Sequence, residues 1–279
     1  MKYAETLKKG TSTAFLPSVE LEDWKKLKAA GIDCLELSFH YEFYMDTIDF
    51  PKNAELYAER AKQAGIELWS IHLPFSPNYD ISSENPEDRE EILRANRLLI
   101  EAAGRIGIKT AVLHPSSEPI EKERRARRFR LSREAICYLR GVADRAGVVL
   151  AVENLPRTCL CNKAPEMIEL LGGTGATVVF DTNHSLFQDN ISFLNALLDA
   201  GLQLRTLHIS DYDFVDERHR LPGMGINDWN GFLDILEKAE YSGPLMYEVV
   251  SKPRDGDPKY AVTLETLANN MKDLASGKL

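Results

Sequence analysis

The sequence predicts a single (β/α)8 TIM barrel that spans residues 1–279. Three observations support this fold: short β-rich segments alternate with longer amphipathic segments, several of the short segments are almost entirely apolar, and no linker interrupts the alternation. Strands that are buried on both faces, as in a parallel sheet covered by helices, have this nearly continuous apolar character. Eight strand–helix units without a break favour closure into a barrel, and the chain length is close to that of one such domain.

The predicted strands are short segments bounded by loop residues. They are residues 12–16, 34–37, 67–72, 110–114, 148–153, 177–181, 206–209 and 245–250. Amphipathic helical patterns such as VELEDWKKLKAAG and AVTLETLANNMKDLASG lie between them. An open, doubly wound sheet is the alternative, but no G-x-G-x-x-G motif follows any predicted strand.

The composition limits the classes of partner. Hydrophobic residues make up 44% of the chain, which suits a globular protein, and the net charge of −9 argues against a nucleic-acid partner. No stretch approaches the roughly 20 apolar residues of a membrane-spanning helix, and the segment MKYAETLKKGTSTAFLPS lacks the apolar core of a signal peptide. The four cysteines have no common metal-binding spacing and are expected to be reduced thiols. We therefore expect a cytoplasmic protein without a membrane partner.

Histidines are concentrated where the predicted strands end. His72, His114 and His208 lie at or next to the downstream ends of their strands. The remaining histidines follow strands in the next loops and are His40, His184 and His219. The downstream strand ends of a barrel meet on one face, where active sites are built. The positions therefore predict a polar site on that face.

Three carboxylates interrupt strands that are otherwise apolar. Glu153 ends VVLAVE, Asp181 ends TVVFD, and Glu248 lies within LMYEVV. A carboxylate in a buried strand is costly unless it is paired or coordinates a metal. Because the candidate partners are histidines, a divalent metal explains the set better than salt bridges do. Two Glu, one Asp and one His form a mostly oxygen set that suits Mn²⁺, Mg²⁺ or Co²⁺, and the surrounding histidines would also suit Zn²⁺.

Seven short motifs occur in the order seen in xylose-isomerase-like barrels. They are SIHLP, VLHPS, AVENL, FDTNH, LHISD, ERHRLPGMG and YEV, at the spacing of successive strand–helix units. Each motif is weak alone, but the ordered set covers the third to the eighth predicted strand. The chain therefore resembles the branch of this superfamily that joins the sugar-phosphate isomerases/epimerases with the endonuclease IV-like apurinic endonucleases.

The epimerase pattern implies one divalent metal, with Mn²⁺ or Zn²⁺ expected. Carried over to this sequence, the metal ligands are Glu153, Asp181, His208 and Glu248. In that pattern Glu153 and Glu248 also form the acid/base pair, and His184 contacts the substrate. The resemblance thus implies a metal-dependent isomerase or epimerase of a sugar, a sugar phosphate or an inosose-type polyol. A homo-oligomer is common among such proteins.

The endonuclease pattern is the alternative and implies a larger metal site. It would recruit His72, His114, His184, Glu217 and His219 into a cluster of three metals. Glu217 stands where that pattern has aspartate in its D-R-H motif, which argues against a third metal. The acidic net charge also argues against a function that depends on phosphate contacts to DNA. In the isomerase/epimerase interpretation these five residues surround the substrate instead.

Other residues have two open interpretations. Arg157, in ENLPR, either anchors a substrate hydroxyl or phosphate or caps its own loop, and Glu36 either contacts substrate or pairs with a basic neighbour. The basic run at residues 121–133 is either a solvated helix face or a phosphate contact. Four aromatic residues either wall a sugar-sized pocket or pack in the core, namely Phe39, Trp69, Phe75 and Trp229.

Overall fold

The computed structural model describes residues 2–15, 20–38 and 44–279, and gives only the helical backbone for residues 44–48. Eight strands in this part of the chain alternate with eight α-helices. The strands are β1 Lys9–Ser12, β2 Cys34–Leu37, β3 Glu67–His72, β4 Thr110–Leu113, β5 Val149–Glu153, β6 Thr177–Asp181, β7 Leu204–His208 and β8 Leu245–Tyr247. The helices are α1 Leu21–Ala29, α2 Tyr44–Ala64, α3 Pro86–Arg105, α4 Lys122–Ala146, α5 Ala164–Leu171, α6 Asn190–Asp199, α7 Trp229–Lys238 and α8 Leu264–Ala275.

The strands form a parallel (β/α)8 barrel, as the sequence predicts. Neighbouring strands pair in chain order from β1 to β7, and β1 also pairs with β8. The residue after β7, Ile209, bridges to β8: its amide donates to Met246 O at 2.8 Å, and it accepts from the Glu248 amide at 3.0 Å. All eight strands therefore end on the same face of the barrel. None of the described helices is long and apolar enough to cross a membrane.

The first strand is where the sequence-based prediction is wrong. β1 is Lys9–Ser12 rather than residues 12–16, and Thr13–Phe15 forms a 3₁₀ turn. The true strand, KGTS, lacks an apolar run, and its Gly10 lies against two neighbouring side chains. A Cβ atom at Gly10 would lie 2.7 Å from Met246 Cε and 2.9 Å from Cys34 Sγ. A methyl group at Gly10 would therefore require the side chains of Met246 and Cys34 to shift, a close approach that an apolar pattern does not reveal.

We expect Gly10→Ala to lower the free energy of unfolding by about 1–3 kcal/mol, because the new methyl group overpacks the barrel interior. Gly141→Ala in α4 is the matched control, since its Cβ would meet only Arg145 Nη1, at 3.6 Å. Alanine is the better helix former, so the control should gain roughly 0.5–1 kcal/mol. Urea-induced unfolding measures both variants. Equal stability of the two variants would contradict the close approach at Gly10.

The basic run at residues 121–133 lies in α4 and makes contacts within the fold. Arg125 Nη2 lies 2.6 Å from Glu166 Oε2, and Arg128 pairs with the buried Asp80. Arg133 donates hydrogen bonds to carbonyl oxygens at the end of α5. Most of this positive charge is therefore used between elements of the barrel rather than presented to a phosphate.

Candidate active site

The polar residues at the strand ends surround one opening of the barrel. Four of them are the last residues of β3, β5, β6 and β7, namely His72, Glu153, Asp181 and His208. His114 and Glu248 each follow a strand by one residue. The parallel arrangement of the strands is what brings these side chains to one face.

Four side chains form an inner cluster, consisting of Glu153, Asp181, His208 and Glu248. Each offers one nitrogen or oxygen atom, and the four atoms lie within 4.8 Å of one another. His208 Nδ1 lies 2.9 Å from Glu153 Oε1 and 3.2 Å from Glu248 Oε2. Asn154 fixes the end of β6, since its side chain accepts from the Asp181 amide at 2.7 Å and donates to the Asp181 carbonyl at 2.9 Å.

Buried oxygen atoms of the inner cluster lack hydrogen-bond donors. Within the described residues, no hydrogen bond reaches Glu153 Oε2, Asp181 Oδ2 or Glu248 Oε2. A buried carboxylate oxygen that makes no hydrogen bond is costly, and a single divalent cation would bind all three oxygens. Three carboxylates with one imidazole also match the donors that Mn²⁺ prefers and that Zn²⁺ accepts. The residues present therefore fit a divalent metal.

Neighbouring charges set the ionisation of the inner cluster. Burial alone would raise the pKa of Glu153, but the charges of His208 and His114 hold it well below its usual range. Burial alone would lower the pKa of His208, but Glu153 and other nearby carboxylates raise it well above its ordinary value. Burial, together with the charges of Glu248 and Glu153, raises the pKa of Asp181 well above the usual range. Without a metal, His208 and Asp181 therefore each hold a proton up to a higher pH than the free side chain does.

A second group of possible metal ligands consists of His184, Glu217 and His219, with one atom of each within 4.8 Å of the others. Two arginines already bind Glu217. Arg157 Nη2 lies 2.8 Å from Oε1, and Arg254 Nη1 lies 2.5 Å from Oε2. Burial alone would raise the pKa of Glu217, but the two histidines and Arg157 hold it well below its usual range. The group therefore resembles an ion-pair network more than a second metal site.

Arg157 connects three loops at the rim of the barrel. It follows β5, and its guanidinium lies 2.6 Å from Glu118 in the loop after β4. It also lies 2.9 Å from Asp216 and 2.8 Å from Glu217, both in the loop after β7. Its φ angle is 47°, in the left-handed region that a non-glycine residue enters at an energetic cost. The contacts extend well beyond its own loop, so capping of that loop does not account for them.

A cleft of about 280 Å³ adjoins the inner cluster, and Glu248 lines both. Its other walls include His114, Arg157, His184 and Arg254. Clefts of a few hundred Å³ suit small ligands, and the mixture of charged, imidazole and apolar walls would orient a polar one.

Among the aromatic residues considered from the sequence, Phe75 lines this cleft. Its ring centroid lies 4.4 Å from that of His114. Trp69 instead packs against an arginine side chain, and Trp229 is 3% exposed and donates its indole N–H to a buried carboxylate. Phe39 and His40 lie outside the described residues.

Sequence reasoning missed three polar residues of this region. Arg254 and Glu118 lie in loops after strands, where site residues are expected, but no motif marks them. Asn183 belongs to the FDTNH motif, and its side-chain oxygen accepts from the amide of His219 at 3.2 Å. It thereby fixes the loop that carries His219. The position of Asn183 inside a quoted motif was the available signal.

The chain belongs to the family of xylose isomerase-like TIM barrels, whose family model matches residues 24–270. No curated protein matches the sequence. The fold resembles that of a D-tagatose 3-epimerase-like protein, with a TM-score of 0.79, 19% identity and coverage of 98% of this chain and 99% of that one.

Two further structures have the same fold. The apo form of 3-keto-D-glucoside 4-epimerase from E. coli has a TM-score of 0.74 and 21% identity, covering 97% of this chain and 100% of that one. D-Psicose 3-epimerase from Clostridium cellulolyticum H10, solved with D-tagatose, has a TM-score of 0.77 and 19% identity, covering 97% and 98%. At these identities the similarity shows the fold.

Proposed function

We propose that this protein is a metal-dependent isomerase or epimerase of a sugar, a sugar phosphate or an inosose-type polyol. The observation that carries the proposal is the convergence of Glu153, Asp181 and Glu248 on His208 with buried oxygens that make no hydrogen bond within the described residues. The adjoining cleft gives a small polar ligand access to this cluster. The sugar epimerases that share the fold add support.

The proposed metal site uses Glu153, Asp181, His208 and Glu248. The metal would supply Lewis acidity, which polarises a carbonyl group and acidifies the neighbouring C–H bond. Glu153 is the last residue of β5 and Glu248 directly follows β8, and both have an oxygen within 3.2 Å of His208 Nδ1. One glutamate removes the proton, and the other returns a proton to the opposite face or to the adjacent carbon.

The remaining polar residues would bind and orient the substrate. His72 Nε2 lies 3.4 Å from Glu153 Oε2, and His114 Nε2 lies 3.2 Å from the same oxygen. Both histidines are therefore at ion-pair distance from the Glu153 carboxylate. His184 and Arg157 line the cleft beside Glu248 and can donate hydrogen bonds to substrate hydroxyls. Glu217 and His219 complete this wall.

Proton exchange with solvent tests the proposed reaction directly. Protein loaded with Mn²⁺ or Zn²⁺ is incubated in D₂O with ketoses, keto-glycosides, inososes and their phosphates. We expect at least one substrate to interconvert with its epimer or isomer and to acquire deuterium at a carbon next to the carbonyl. Absence of both exchange and interconversion across the panel would reject the proposal.

An apurinic endonuclease is the second candidate, favoured by one observation. His184, Glu217 and His219 are close enough together to bind another metal. The ion pairs of Glu217 with Arg157 and Arg254 oppose this arrangement. Three zinc ions per chain by elemental analysis, with catalytic cleavage of an oligonucleotide at an abasic site, would replace the isomerase proposal with this one.

Metal affinity is expected to increase with pH. The pKa values of His208 and Asp181 are raised in the metal-free protein, so protons compete with the metal for both side chains. Raising the pH weakens this competition and tightens binding, and a metal that enters a protonated site releases protons. Calorimetric titration with Mn²⁺ in two buffers of different ionisation enthalpy counts those protons. Identical heats in the two buffers would show that no proton is displaced.

A further inference from the structure

All three nitrogen atoms of the Arg157 guanidinium group lie at ion-pair distance from carboxylates. Nε and Nη2 lie 2.7 Å and 2.6 Å from Glu118 Oε1. Nη2 also lies 2.8 Å from Glu217 Oε1, and Nη1 lies 2.9 Å from Asp216 Oδ1. Arginine binds a phosphate through two parallel N–H groups along one edge of this planar group. The protein's own carboxylates therefore occupy the edges at which a substrate phosphate would bind.

The charges around the cleft also disfavour an anionic ligand. The second arginine of the cleft, Arg254, shares Glu217 with Arg157, since its Nη1 lies 2.5 Å from Glu217 Oε2. Within the described residues, this rim group thus contains two arginines and three carboxylates. The inner cluster likewise contains three carboxylates, one more than the charge of a divalent cation. Each group keeps an excess negative charge, so the cleft repels a dianion.

We propose that Glu118 is a specificity-determining residue that selects substrates without a phosphate group. The inference rests on the proposed function and narrows its substrate class to uncharged sugars and polyols. Both contacts of Glu118 with Arg157 use Oε1, and Oε2 can accept a hydrogen bond from a ligand in the cleft, which Glu118 lines. A carboxylate in an ion pair only accepts hydrogen bonds. A sugar hydroxyl can donate to it, whereas a phosphate dianion has no proton to donate.

Stability alone does not account for this group of ion pairs. The Glu118 side chain is 33% exposed and that of Arg157 is 40% exposed. Ion pairs between exposed side chains contribute little to stability. The left-handed backbone at Arg157 has an energetic cost of its own. The arrangement is better explained by the charge and the hydrogen-bond acceptors that it presents to the cleft.

Matched pairs of substrates test the inference. With Mn²⁺-loaded protein, each sugar or polyol of the deuterium-exchange panel is compared with its own phosphate ester. In the wild type, kcat/KM for the free compound should exceed that for the ester by at least about 10-fold. Glu118→Gln keeps the shape of the side chain and removes its charge, so it should lower this ratio by about 10-fold. Asp216→Asn, which changes a contact of Arg157 outside the cleft lining, should lower the ratio less.

Two further variants control for general effects. Glu118→Asp keeps the charge and should retain the preference for the free compound. Glu121→Gln makes the same change of net charge as Glu118→Gln in the same loop, but Glu121 is exposed and does not line the cleft. Its ratio should equal that of the wild type. The ratio is informative because a general loss of activity affects both members of a pair equally.

The outcomes separate this inference from the proposed function. A wild-type protein that acts on the phosphate esters as well as on the free compounds, or better, would overturn the inference alone. A ratio in Glu118→Gln equal to that of the wild type would also overturn it. If Glu118→Gln does not fold, an unchanged ratio in Asp216→Asn takes the place of that result. Absence of exchange and interconversion with every compound, free or phosphorylated, would overturn both the inference and the proposed function.

Discussion

Replacing Glu248 with glutamine is expected to lower kcat by about 10²- to 10⁴-fold, the usual contribution of a positioned acid or base. The amide has the same size as the carboxylate but cannot take up or return a proton. Glu153→Gln should cause a comparable loss, because the reaction needs one group to remove the proton and another to replace it. The folded state should persist in both variants, since each removes a buried negative charge from a group that already contains three carboxylates.

Assays at saturating Mn²⁺, with the bound metal measured, separate lost proton transfer from lost metal. Glu123→Gln, which makes the same change on the exposed side of α4, serves as the control and should retain full activity. A metal-loaded Glu248→Gln protein with wild-type kcat would show that the proton moves by another route.

Removing the metal with a chelator is expected to abolish turnover and to lower the melting temperature by roughly 5 °C or more when compared with protein at a hundredfold excess of metal over its dissociation constant. The physical reason is that the cation balances Glu153, Asp181 and Glu248, whose oxygens otherwise lack donors. Calorimetric melting and activity, measured before and after Mn²⁺ is restored, check both effects.

Asp181→Asn provides the control for metal removal. It deletes one of the proposed ligands, so the chelator should change the melting temperature of this variant far less than that of the wild type. Asparagine has the same size as aspartate, and its side-chain oxygen can still accept the hydrogen bond from the Asn183 amide. A wild-type protein whose activity and melting temperature are both unaffected by the chelator would exclude a functional metal.

The sequence predicts the barrel and the inner cluster because both depend on a regular pattern. The bounds of β2, β3 and β6 agree with those predicted, and β3 and β6 each end at a polar residue. The strand-end rule then places Glu153, Asp181 and His208 on one face without any knowledge of loop structure. β1 breaks the pattern because its sequence, KGTS, contains no apolar run, and its Gly10 lies close to Met246 and Cys34.

Contacts between loops could not be predicted in the same way. Arg254 and Glu118 belong to segments with no periodicity, and their distances to Glu217 and Arg157 depend on how several loops fold together. The 3.1 Å contact between Glu36 Oε1 and His208 Nε2 could be predicted only in part. Both positions at the strand ends were evident, but the pairing depends on side chains that point across the barrel interior.

Arg157 contacts residues of two other loops, and this arrangement affects how substrate preference could evolve. Barrels support many chemistries through variation of the loops on a constant scaffold. Here, a mutation that removes Glu118 also frees one side of the guanidinium that holds Asp216 and Glu217. The three loops are therefore coupled, and their mutations are not additive. Directed-evolution libraries that vary Glu118, Arg157 and Glu217 together would reach new specificities that single-position libraries miss.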